Sequence, residues 1–216
     1  MTLFHLRTLL MLSAIAAAFL FFLLIPQPRS RVFRLGGLLT AMAFATELYG
    51  YVSGLSYQNN VIVYNAFVLV EFVLVLQMAR VQQPGWSKWL VGAALLGVAG
   101  FACNALLVDP LQDILFEGTV WLSFLVACVL CALLWRMADT MNQDLRHAPV
   151  FWLFTGMGLY FIALPPVMGL ARYLRVMDME LASTLWTIMP LLCTARYLLT
   201  AYACWLQGGR RRAAHE

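Results

Sequence analysis

Charge is what this chain has least of. Only 11% of its 216 residues are Asp, Glu, Lys or Arg, where a soluble domain carries about a quarter. Apolar residues make up 63% and mean hydropathy is +0.82. These values exclude a disordered chain, a nucleic-acid binder and an ordinary water-soluble enzyme. Lysine is nearly missing: Lys88 stands alone, so the last apolar stretch has no lysine for a retinal Schiff base. The histidines, His5, His147 and His215, fall outside the apolar runs. No pair is left to ligate a haem across a bilayer, and no Ser–His pair or His-Glu-x-x-His run lies within a span. The five cysteines (Cys103, Cys128, Cys131, Cys193, Cys204) all lie inside apolar runs, where Cys behaves as a small hydrophobe. Cys128 and Cys131 are three apart but have no His or Asp partner, so neither a metal site nor a disulfide framework is expected. No catalytic set, metal or cofactor is read from these residues.

What the chain has instead is seven apolar stretches, at about Thr8–Ile25, Leu35–Gly54, Val61–Ala79, Trp89–Val108, Phe116–Trp135, Val150–Ala171 and Leu181–Leu206. Each approaches or exceeds the roughly 20 residues a helix needs to cross the hydrocarbon. Between them lie turn and charge signals: Pro26-Gln27-Pro28, Gln58-Asn59-Asn60, Gln82-Gln83-Pro84-Gly85, Asp109-Pro110 and His147-Ala148-Pro149. The spacing predicts an all-α, polytopic membrane protein, one seven-helix bundle over residues 1–216 with almost nothing left for a soluble domain.

Basic residues set the direction. Only Arg7 precedes the first stretch, while Arg29, Arg31 and Arg34 follow it, opposite to a signal peptide. With the amino terminus outside, the cytoplasmic segments hold ten positive residues and the outer ones hold only Arg7, Arg172 and Arg175. The positive-inside rule therefore predicts an amino end outside and a carboxyl end in the cytoplasm. The acids Asp109, Asp113, Glu117, Asp178 and Glu180 collect on the outer side.

Ionisable side chains inside a span are costly and usually face the bundle interior with a partner. Three stand out: Glu47, Glu71 and Arg196. At about 1.5 Å of rise per residue, Glu47 lies roughly 10 Å from the outer end, Glu71 about 15 Å and Arg196 about 22 Å. Glu71 and Arg196 match best in depth and are expected to pair, with Glu47 joining through water or a tyrosine. Such a pair also has a purely structural reading, as a device fixing helix register. The neighbours favour a site. Tyr64, Phe67 and Glu71 share a face of the third helix, Asn65, Val68 and Phe72 lie beside it, and Tyr51 is one turn from Glu47. Phenols, an amide and carboxylates around an outward-opening pocket suit a small polar or amphipathic ligand. Tyr49, Tyr57 and Trp121 fit an aromatic belt at the outer boundary.

Pro165 and Pro166 lie inside the sixth span and Pro190 inside the seventh. A proline removes a helical hydrogen bond and kinks the helix, so the pair predicts a hinge. Gly156, Gly158 and Gly169 are expected to allow close helix packing. A three-plus-one-plus-three sugar transporter has this length too, but requires two similar halves with matched prolines, and the first and fifth spans have no interior proline.

Several short runs carry a resemblance: Tyr64-Asn65 with Glu71-Phe72, Glu117 at the head of the fifth span, Phe151-Trp152 through Gly156 to Tyr160-Phe161, and Leu185-Trp186. Across the third to seventh spans the chain resembles a group of bacterial seven-helix membrane modules that occur alone or joined to signalling domains such as histidine kinases. The resemblance implies a sensory module of the bacterial inner membrane, with Tyr64, Asn65, Glu71 and Glu117 among its site positions. The expected ligand-binding set is thus Glu47, Tyr51, Tyr64, Asn65, Glu71, Glu117 and Arg196. Expected partners are the lipid bilayer and a cytoplasmic signalling protein, docked at the basic tail Arg210–Arg212, a run that anionic lipid headgroups would also favour. A non-catalytic assembly subunit of a larger membrane complex, or a small transporter using Glu47 and Glu71 as proton or cation sites, are the alternatives.

Overall fold

The computed structural model describes residues 3–56, 59–108, 113–140, 144–177, 181, 184–185 and 187–213. Tyr57, Gln58, Asp109, Pro110, Asp178, Glu180 and Trp186, with part of the seventh apolar stretch, lie outside the described residues. Among those described the chain is mostly helical, without strands: α1 (Leu3–Leu23), α2 (Arg31–Leu55), α3 (Val61–Gln82), α4 (Ser87–Leu107), α5 (Phe116–Thr140), α6 (Pro149–Met177) and α7 (Ile188–Ala213). Helix follows from composition. In an apolar medium every backbone N–H and C=O must be bonded within its own segment, which a helix achieves. Five helices (α1, α3, α4, α5, α6) are long and apolar enough to cross a membrane. The two that fall short, α2 and α7, carry Glu47 and Arg196.

Short connections make successive helices antiparallel. Each of α2 to α6 packs on the next or the one before it, α3 also touches α5, and α7 fits between α6 and α1 to close the ring. The turns are closed by side chains. Arg29 donates from Nε to Ile25 O at 3.2 Å and from Nη2 to Leu23 O at 2.8 Å, satisfying carbonyls that the end of α1 leaves open. Ser30 accepts from Phe33 N at 3.4 Å to cap α2.

The larger packed core joins α2, α3, α5 and α6. It gathers Phe33 and Leu39 of α2, Phe72, Val75 and Met78 of α3, Leu130 and Leu133 of α5, and Phe154 of α6. Gly97 of α4 makes this possible, because a Cβ there would run into the Phe72 ring. A smaller cluster of Ala14, Ile15, Ala18, Ala43 and Ala201 joins α1, α2 and α7, where small side chains let backbones approach. Threonines in α2 and α7 return their hydroxyls to the carbonyl four residues earlier: Thr40 to Gly36, Thr194 to Pro190 and Thr200 to Arg196. Their polarity costs little in apolar surroundings.

Candidate functional site

Beside this core the bundle holds a cavity of about 740 Å³, within the range of small-molecule sites. Along α3 it runs from Val61 to Phe72, about 16 Å by helical rise, and Phe72 is the point where cavity gives way to core. Exposed Gly54 and Leu55 lie at its mouth. Residues of α1, α2, α3, α5, α6 and α7 line it, and most of the lining is apolar. That is a wider set of helices than the second, third, fifth and seventh, which carry the residues expected from sequence.

Near the mouth, Tyr64 donates its hydroxyl to Glu47 Oε2 at 2.9 Å, so the tyrosine link expected for Glu47 is made. Gly50, one turn beyond Glu47 on α2, leaves room for the phenol: a Cβ there would collide with Tyr64 Oη. No described Arg, Lys or His lies within ion-pair distance of Glu47.

Deeper in, Arg196 Nη1 stands 2.6 Å from Glu71 Oε1. This is the pairing that depth matching anticipates. Glu71 is 4% exposed and Arg196 3%. Glu71 lines the cavity and Arg196 lies behind it, off the lining. The guanidinium sits among three aromatic rings, with Cζ at 4.9 Å from the centroid of Tyr160, 5.4 Å from Phe161 and 5.2 Å from Tyr197. Among the described residues Arg196 Nε and Nη2 find no hydrogen-bond acceptor, so the π faces and the carboxylate together hold the buried cation. On α6, Gly156 faces the Arg196 backbone and admits α7 at this level.

The other expected residues divide. Tyr51 lines the cavity, with its ring 6.3 Å from His5 in an edge-on contact. Asn65 lines it too, but its amide serves the backbone: Nδ2 donates to Asp113 O at 2.9 Å and Oδ1 accepts from Leu115 N at 3.4 Å. Glu117 lies off the lining, ion-paired with Arg172 of α6 and accepting from Asn104 Nδ2 at 3.4 Å. It belongs to a seam between α4, α5 and α6 rather than to the cavity. Pro165 and Pro166 lie within a continuous α6, flanked by the lining residues Leu164 and Met168. Among the glycines, Gly169 faces nothing within 4 Å and does not serve packing.

The site set expected from sequence leaves out His5, Tyr160 and Asn104. His5 precedes the first apolar run, yet α1 begins at Leu3 and carries His5 and Thr8 onto the lining. Their spacing of three on one face was the available signal. Asn104 of α4 accepts from Gly118 N at 3.0 Å, supplying the cap that α5 has none of its own to make. Within the described residues no cluster of His, Cys, Asp and Glu has the makings of a metal site. Comparison with known protein families, curated proteins and solved structures finds no match to this chain.

Proposed function

We propose that the chain is a receptor-like sensor of the bacterial inner membrane that binds a small amphipathic ligand in its cavity. It would have no catalysis of its own and would signal to a cytoplasmic partner. In this reading all seven helices span, with the amino end outside. At 25 and 26 residues, α2 and α7 reach about 37–39 Å, ample for a hydrocarbon core of about 30 Å. The observation that carries the reading is the cavity itself, largely apolar, with two carboxylates and phenols converging on it. Its mouth lies at the end with fewer basic residues, the outer end under the positive-inside rule. The wall at Leu164 and Met168 brackets Pro165 and Pro166, so a ligand there would press on the helix at the positions where its hydrogen-bond ladder is broken. Arg210–Arg212, at the far end of α7, would meet the partner. The bacterial origin rests on the resemblance to sensory modules.

The test is purification in mild detergent, followed by melting measurements across a panel of small amphipathic compounds. A stable protein whose melting temperature rises with one of them is expected. Obligate co-purification with other membrane subunits, without any shift, would favour an assembly role, and proton-coupled uptake into liposomes would favour a transporter. A tag at the amino terminus reached by protease in right-side-out vesicles, and a protected carboxyl-terminal tag, are the expected topology results.

A further inference from the structure

The cavity wall bears two carboxylates in unequal circumstances. Glu71 has a countercharge, Arg196 at 2.6 Å, supplied from behind the wall. Glu47 has a phenol, Tyr64 at 2.9 Å, and no described cation in ion-pair range. An ionised carboxylate facing a largely apolar enclosure is costly unless something positive accompanies it. The rings of Tyr51 and Tyr64 belong to the same part of the lining, and their π faces attract cations. Farther down, Val68, Phe72, Leu122 and Phe161 supply apolar wall. From the level of Tyr64 to that of Phe72 is eight residues of α3, about 12 Å.

We propose that the ligand is an organic monocation, an amine with an apolar body, its nitrogen paired with Glu47 and its body lying toward Phe72. This rests on the cavity being a ligand site and names the ligand class for it. Glu71 does not compete for the cation, because Arg196 already neutralises it. A divalent metal ion is not accommodated, since Glu47 brings a single carboxylate and two neighbouring phenols where such an ion takes six or more oxygens.

The test uses one ring system with three charges: naphthylethylamine, naphthylethanol and naphthylacetate. Binding is measured calorimetrically on the full chain in phosphatidylcholine nanodiscs. The amine is expected to bind at least tenfold more tightly than the alcohol, and the acetate more weakly still. Glu47→Gln is expected to remove at least tenfold of the amine's affinity while leaving the alcohol's unchanged. The series on the unmodified chain decides the matter even if the variant folds poorly. Equal affinity for amine and alcohol would overturn the cation assignment and leave the cavity as a site for neutral amphiphiles. Absence of binding by all three would overturn both the assignment and the receptor reading beneath it.

Discussion

Gly156 of α6 faces the backbone of Arg196 on α7 so closely that a Cβ added there would stand 3.0 Å from the Arg196 carbonyl oxygen and 3.0 Å from Leu199 Cβ. The two helices therefore pack backbone to backbone at the level where Arg196 meets Glu71. A carbonyl oxygen in a helix cannot turn aside as a flexible side chain can. Gly156→Leu is expected to force α6 and α7 apart and to cost about 1–3 kcal/mol, read as a lower melting temperature in detergent. Gly169→Ala on the same helix meets nothing within 4 Å and should be neutral or gain up to ~1 kcal/mol from helix propensity. Equal effects at the two positions would contradict close packing at Gly156.

The Glu71–Arg196 pair calls for a double-mutant cycle. Removing one partner of a buried pair strands the other charge, at roughly 3–5 kcal/mol. Glu71→Gln and Arg196→Gln should each lower the melting temperature, and the double variant should recover part of the loss, because the unpaired charge dominates the penalty. Arg196→Lys is expected to recover little, since an ammonium lacks the planar face that meets Tyr160, Phe161 and Tyr197. Additive losses in the cycle would show that the two residues act independently.

Gly50 and Tyr64 form a second coupled pair. Gly50→Ala places a methyl group where Tyr64 Oη now lies, and is expected to cost about 1–3 kcal/mol by displacing the ring and breaking its bond to Glu47. In a Tyr64→Leu background the obstructing phenol is gone, so the same change should become neutral or mildly favourable through helix propensity. Melting curves of the two singles and the double decide it. A Gly50→Ala penalty unchanged by Tyr64→Leu would place the conflict elsewhere.

The helices were legible because their cause is local: long apolar runs separated by prolines, glycines and charges. The pairing of Glu71 with Arg196 was legible too, since helical rise converts sequence position into depth. Depth alone does not give azimuth. Glu117 and Asn65 lie at suitable heights, yet Glu117 turns toward Arg172 and Asn104, and the Asn65 amide is taken up by the backbone of residues 113–115. Which neighbour a side chain meets depends on how the helices are rotated in the ring, and that is fixed by contacts such as Gly97 with Phe72 and Gly156 with Arg196, far apart in sequence. The two helices of lower hydropathy, α2 and α7, each carry an ionisable side chain, Glu47 and Arg196, whose partner comes from α3.

The start of α5 depends on two asparagines from other helices. A helix opens with four N–H groups that have no intrahelical acceptor. Asn104 Oδ1 of α4 accepts from Gly118 N, and Asn65 Oδ1 of α3 accepts from Leu115 N just before the helix while its Nδ2 donates to Asp113 O. Both side chains are buried, each at 5% exposure, so water is a poor substitute. Asn65→Ala and Asn104→Ala are each expected to cost about 1–3 kcal/mol, the penalty for a buried group left unsatisfied. The two losses should differ in consequence. Ile114 lines the cavity, so releasing residues 113–115 in Asn65→Ala also disturbs the wall, whereas Asn104 does not line it. Hydrogen exchange should show faster exchange at Leu115 in Asn65→Ala and at Gly118 in Asn104→Ala. Ligand affinity should fall in Asn65→Ala and hold in Asn104→Ala. If the two variants lost affinity alike, the cap would be acting on the whole of α5, and the separate role of Asn65 at the cavity wall would be wrong.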